Sequence, residues 1–260
     1  MRPGRHGVLL AGGHESRDGR CLPGLLGPGG HEACAPGRDL QAALRDRGRT
    51  AVVPMTLGRD AELSAVAAQT LRWAARDRAP GDLLLTGPLG TTVHLVGWIR
   101  SAVTRALRDG PPGQAVLLVA PAAGPEPDAE LFKVARLVRQ YTSLRWVEVA
   151  LTGGDPDVDE GVERCLRLGA EGVVLVPASF VPVPERTDAE TAGPLLGPAS
   201  LATLIRERVA EAEHRWTAHG DDGLTLDHHH GHDDHDHTPH RRDLFPPERA
   251  SRREAASHVG

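Results

Sequence analysis

Short unbroken apolar runs alternate along this chain with longer stretches whose apolar residues recur every three to four positions. The first pattern predicts strands buried on both faces of a parallel sheet; the second predicts amphipathic helices. Val8, Leu9 and Leu10 open the series as a strand, and further strands are predicted over Thr50–Thr56, Asp82–Thr86, Gln114–Pro121, Arg145–Leu151 and Glu171–Pro177. Helices are predicted between them: Arg38–Arg47, a segment ending near Arg76, the stretch 88–107, Asp157–Leu168 and a closing helix over Leu201–Arg215. One more follows the Gln114–Pro121 strand, with Asp128 as its N-cap and Leu131, Val134, Ala135 and Val138 as its apolar stripe. Residues 20–37 are crowded with Gly and Pro and read as irregular.

Strand–helix alternation of this kind predicts an α/β fold with doubly wound parallel sheets. The pattern also restarts. VLLAG and VVP in the first half are echoed by VLLVA and VLVP in the second, which reads as an internal duplication. Two lobes are expected, 1–112 and 113–217, followed by a tail, 218–260, too poor in apolar residues to fold. A cleft between the lobes is the natural binding place.

Composition narrows the function. Apolar residues make up 40 % of the chain and aromatics only 3 %, so the core is built from Leu, Val and Ala. A net charge of −5 implies no basic face, and nucleic acid is not an expected partner. Three cysteines without a CxxC pair (Cys21, Cys34 and Cys165) argue against a disulfide framework or a cysteine zinc site. No apolar run approaches a membrane span or a signal core, so a cytoplasmic protein, monomer or homodimer, is expected. There is no GxxxxGK[ST] loop, no GxGxxG after the first strand and no GxSxG elbow, which leaves no nucleotide site and no serine-hydrolase site.

What remains is a glycine-hinged loop at the carboxyl end of the first strand. Gly12 and Gly13 let the backbone turn and approach a ligand closely, and His14, Glu15, Ser16, Arg17 and Asp18 follow. His31 and His94 are further imidazoles, read respectively as a solvated loop residue and a satisfied, partly buried helix residue. The tail is a second metal signal. His228, His229, His230, His232, His235, His237 and His240 fall within 13 residues, interleaved with Asp233, Asp234 and Asp236, a density that binds Co²⁺, Ni²⁺ or Zn²⁺.

GGHESRD at 12–18 resembles the GHGSRD that opens the class II chelatases, the ATP-independent sirohydrochlorin cobalto- or ferrochelatases. DAELFKVARLV at 128–138 and GVERCLRLGAEGVVLVPASFV at 161–181 resemble later segments of that family, in the same order. The resemblance implies two flavodoxin-like lobes around a tetrapyrrole cleft and insertion of a divalent metal, Co²⁺ first and Ni²⁺ or Fe²⁺ next, into sirohydrochlorin on the way to cobalamin. It implies His14 as metal ligand and base, Glu15 as a second oxygen ligand or proton acceptor, and Ser16 and Arg17 as substrate contacts. Where family members carry a second histidine, this chain has Gly58, Arg59 and Asp60. Arg59 offers no lone pair to a metal but can hold a substrate carboxylate; Arg59 and Asp60 read equally well as a surface pair at a helix start. In the chelatase reading the tail histidines buffer the metal; the alternative function is a diverged relative that binds, stores or delivers metal or tetrapyrrole without turnover.

Overall fold

The computed structural model describes residues 5–108, 110–142 and 144–225; the histidine-rich segment and its expected metal ligands, His228 to His237, lie outside them. The first half runs β1 (Gly7–Gly12), α1 (Leu22–Leu26), β2 (Glu32–Cys34), α2 (Arg38–Leu44), β3 (Thr50–Met55), α3 (Leu63–Ala74), β4 (Leu83–Leu85) and α4 (Thr92–Ala106). The second runs β5 (Gln114–Pro121), α5 (Pro125–Thr142), β6 (Val147–Thr152), α6 (Val158–Arg167), β7 (Gly172–Pro177), β8 (Glu190–Thr191) and α7 (Pro198–His219). Every described strand pair is parallel. The two four-stranded sheets have the same order, β2-β1-β3-β4 and β6-β5-β7-β8.

The central strands are the continuous apolar runs. Leu9, Leu10, Val52 and Val53 are buried in the first sheet, Val116 to Leu118 and Val174 to Val176 in the second, each covered by helices on both faces. In this strand order the chain reverses direction across the sheet between β1 and β3, and again between β5 and β7. Loops at the carboxyl ends of those pairs form the crevice where open α/β sheets bind ligands. The last helix of each half crosses over: α4 packs on β7 and α5, while α7 packs on α1, β3 and β4. The two sheets therefore lie within one compact unit, and the described residues all belong to it.

Three expectations are corrected. The stretch 20–37 is not irregular throughout: it holds α1 and β2, a three-residue strand at the sheet edge that pairs with Leu9 to Ala11. Asp128 does not cap a helix that starts after it. The α5 helix starts at Pro125, and the Asp128 carboxylate reaches back to accept from the amides of Ala123 (3.1 Å) and Gly124 (3.2 Å). The closing helix spans Pro198–His219 rather than Leu201–Arg215, and the chain beyond it returns to the first sheet. There Leu85 N donates to Asp222 O (2.8 Å), and Leu224 is buried.

His6 ties α7 to the start of β1. Its ring nitrogens lie 2.9 Å from Glu213 Oε1 and 2.9 Å from Gly81 O, and its amide donates to the same carboxylate. Burial would raise the Glu213 pKa, but the bonds and charge of His6 and the charge of Arg5 hold it below 4.5. A carboxylate shifted down contributes stability above its unfolded pKa, and that contribution is lost as pH falls through the folded value. The thermal midpoint of the protein is therefore expected to fall on acidification below about pH 4.5, and Glu213→Gln to flatten that limb. Parallel acid limbs in calorimetry would show that the tie contributes nothing.

Candidate active site

The loop after β1 makes a single 3-10 turn over His14–Ser16, and Arg17 and Asp18 follow at φ 52° and 58°, left-handed backbone that closes the turn. Ser16 holds it: its hydroxyl donates to Gly13 O (3.1 Å) and accepts from Gly19 N (3.0 Å), and the residue is buried. The proton and one lone pair of the hydroxyl are thus used inside the loop, which gives Ser16 a role in shaping the site. Arg17 points out of the turn and is exposed.

His14 stands beside Asp60, from the loop after β3. Its Nδ1 lies 3.2 Å from Asp60 Oδ2, with the two side chains 21 % and 16 % exposed. Nε2, on the other side of the ring, is buried and has no partner among the described residues. Burial works to raise the Asp60 pKa, but the hydrogen bonds and charge of His14 and the amide of Leu63 hold it below the usual carboxylate value. Gly13 makes this approach possible. A Cβ there would sit 1.9 Å from Asp60 Oδ2.

Glu15 turns the other way. It is fully buried, and its Oε2 accepts from the Thr56 hydroxyl and from Leu57 N (2.9 Å). Oε1 has no partner among the described residues. Burial raises its pKa, an effect that Thr56, Leu57 and the charges of Arg59 and His14 only partly offset. Its carbonyl accepts from Phe180 N (2.9 Å), so the first loop is docked on the segment that follows β7. Thr56 joins the two groups, since its hydroxyl also accepts from Gly58 N (2.9 Å) and Asp60 N (3.3 Å).

Arg59 is not part of a surface pair. Its side chain is 0 % exposed; Nε donates to Pro127 O (3.1 Å) and Nη2 to Asp128 Oδ1 (3.3 Å), both at the start of α5. Nη1 is buried without a partner among the described residues, and burial lowers the pKa of the guanidinium against the pull of Glu15, Asp128 and Glu130. The loops at both sheet reversals thus meet, the first contributing His14, Glu15, Arg59 and Asp60 and the second Asp128 and Phe180. Beside them is a mostly apolar cleft of about 290 Å³ whose walls include Leu25, Leu57, Phe180, Val181, Leu195 and Leu201. Glu185 is the charged residue on its lining.

Sequence reasoning put His14, Glu15 and Arg59 in one place, as the structure does. It missed Asp60 as the partner of His14, Thr56 as the link and Phe180 as the dock; the run LGRDAEL after an apolar strand was the available signal for Asp60. His94 is elsewhere. It is exposed, closes a capping box with Thr91 and stacks on Trp98 at 5.6 Å. His31 is a half-buried residue just before β2. Among the described residues no three His, Cys, Asp or Glu side chains are grouped to hold a metal ion.

Over 70 residues, 26 % of this chain, the sequence is 41 % identical to a sirohydrochlorin cobaltochelatase of Priestia megaterium; the match spans 23 % of that relative's length. The chain thus matches less than a quarter of that relative's length. Solved structures similar to this chain include SirB from Bacillus subtilis with Fe³⁺, at TM-score 0.49 and 15 % identity over 85 % of this chain and 98 % of that one. The sirohydrochlorin chelatase SirB of Bacillus subtilis subspecies spizizenii, in complex with cobalt, aligns at TM-score 0.46 and 13 % identity, covering 82 % and 97 %. A multi-domain protein of Deinococcus radiodurans with structural similarity to chelatases aligns at TM-score 0.47 and 20 % identity, covering 80 % and 55 %. No family model matches the chain. No helix of the described residues is long and apolar enough to cross a membrane.

Proposed function

We propose that this chelatase-like chain inserts a divalent metal, Co²⁺ first, into a sirohydrochlorin-type tetrapyrrole in the cytoplasm, without a nucleotide, as a step toward cobalamin. The observation that carries the reading is the buried Nε2 of His14, without a partner among the described residues, in a loop whose next residue, Glu15, is docked through its carbonyl on Phe180 of the apolar cleft wall. Metal insertion replaces two pyrrole N–H protons by one M²⁺, so the site needs a group that accepts a proton near neutral pH or holds the incoming ion. A neutral imidazole does either. The macrocycle lies against the apolar wall, and the buried Glu15, whose Oε1 has no partner among the described residues, serves as the second proton acceptor. The tail histidines, outside the described residues, serve as a metal reservoir.

The test is an absorbance time course of sirohydrochlorin with Co²⁺, with and without the protein, for the full chain and for a chain ending after Thr225. Both are expected to exceed the metal-only rate, the shorter one with a higher demand for Co²⁺. Traces no faster than background would overturn the reading.

A second reading, binding or delivery without turnover, is favoured by one feature. Arg59, buried and engaged with Pro127 and Asp128, stands where a second ligand to the metal is implied. Tight tetrapyrrole binding with a background insertion rate would select it.

A further inference from the structure

The Asp60 carboxylate is itself held in place. Oδ1 accepts from Leu63 N (3.2 Å) at the start of α3, and the Asp60 amide donates to the Thr56 hydroxyl (3.3 Å). That leaves Oδ2 facing His14 Nδ1 at 3.2 Å, over a residue with no side chain. We propose that Asp60 is a positioning residue that fixes the ring plane and tautomer of His14, and that Gly13 is required for it to do so. An ionised carboxylate only accepts hydrogen bonds. A neutral imidazole facing it must donate from Nδ1, which leaves the proton off Nε2 and its lone pair free on the far side of the ring. The lone pair is the part of a histidine that binds a metal or takes a proton, and a carboxylate behind the ring is the common device for holding it so. The inference rests on the reading of His14 as the group that meets the metal, but the tautomer can be measured without it.

The experiment uses the ¹⁵N-labelled full chain at pH 8 and long-range ¹H–¹⁵N correlation of the imidazoles. His14 is assigned by difference with His14→Gln, and Co²⁺ alone is then added. Wild type is expected to show a protonated Nδ1 and a bare Nε2 at His14, and Co²⁺ to shift or broaden that signal. In Asp60→Asn the amide can donate to Nδ1, so the other tautomer becomes populated, and the Co²⁺ needed for the same effect at His14 rises about 10- to 100-fold. Gly13→Ala, which keeps the carboxylate but displaces it, is expected to give the same mixture and carries the test if Asp60→Asn does not fold. A protonated Nε2 in wild type, or an unchanged tautomer in both variants, would overturn the proposal. A changed tautomer with no Co²⁺ effect at His14 in any form supports the positioning role and removes the metal role of His14 instead.

Discussion

Replacing His14 by alanine is expected to lower Co²⁺ insertion into sirohydrochlorin by on the order of 10²- to 10⁴-fold, the range spanned by loss of a positioned acid–base group. The replacement should leave the fold intact. His14 sits in a loop, is part-exposed, and its side chain contacts Asp60 rather than the core. Removing it returns Asp60 to a site with the Leu63 amide and solvent, so a small shift in thermal midpoint is expected. The companion variant is Gly13→Ala. The backbone there, at φ −105° and ψ −153°, is open to any residue, so the change is purely steric: the new methyl takes the space of Asp60 Oδ2. An intact His14 with a displaced carboxylate should lose about 10- to 100-fold in rate, the usual effect of removing the group behind a ligating histidine. Because both act through the same contact, Gly13→Ala combined with Asp60→Asn should be little worse than either alone. Multiplying losses would mean that the two residues serve the site by separate routes.

How far this site was legible follows from what each residue interacts with. The strands were readable because burial on both faces leaves an uninterrupted apolar run, and Gln114–Pro121 is a strand over the whole predicted span. The β2 edge strand was not, since three half-exposed residues among Gly and Pro carry no apolar run, and β8 is two exposed residues. Polar loop residues show that a ligand or a turn is nearby but not which. Ser16 and His14 look alike in GGHESRDG, yet the Ser16 hydroxyl is bonded twice within the loop while His14 keeps a nitrogen without a partner among the described residues. Nothing in the sequence shows that Leu57 and Phe180 are brought onto Glu15 and that it is fully buried. The exchange of α4 and α7 between sheets lies beyond local pattern, because both helices are amphipathic whichever sheet they cover.

Arg59 carries the second large effect, on stability rather than rate. Its guanidinium is buried between the first loops and α5, bonded to a carboxylate and a carbonyl 69 and 68 residues away. Arg59→Met keeps the volume but leaves Asp128 and Glu15 without the buried cation, and losing one partner of a buried pair costs about 3 to 5 kcal/mol. The lower end is expected here, because Asp128 keeps the amides of Ala123 and Gly124. The loss should also depend on pH. Glu15 already has a raised pKa, so between 4.5 and its folded value the native state binds a proton that the unfolded state does not. Stability therefore falls as pH rises through that window. Without Arg59 to favour the charged form, the folded pKa of Glu15 rises further and the window widens upward. Arg59→Met should accordingly be more damaging at pH 8 than at pH 5, and Glu15→Gln in the same background should remove most of that difference. Denaturant unfolding of the wild type and the two variants at the two pH values measures it. A pH-independent loss would mean that the Arg59 cation stabilises Asp128 and the α5 start alone, and that Glu15 does not feel it.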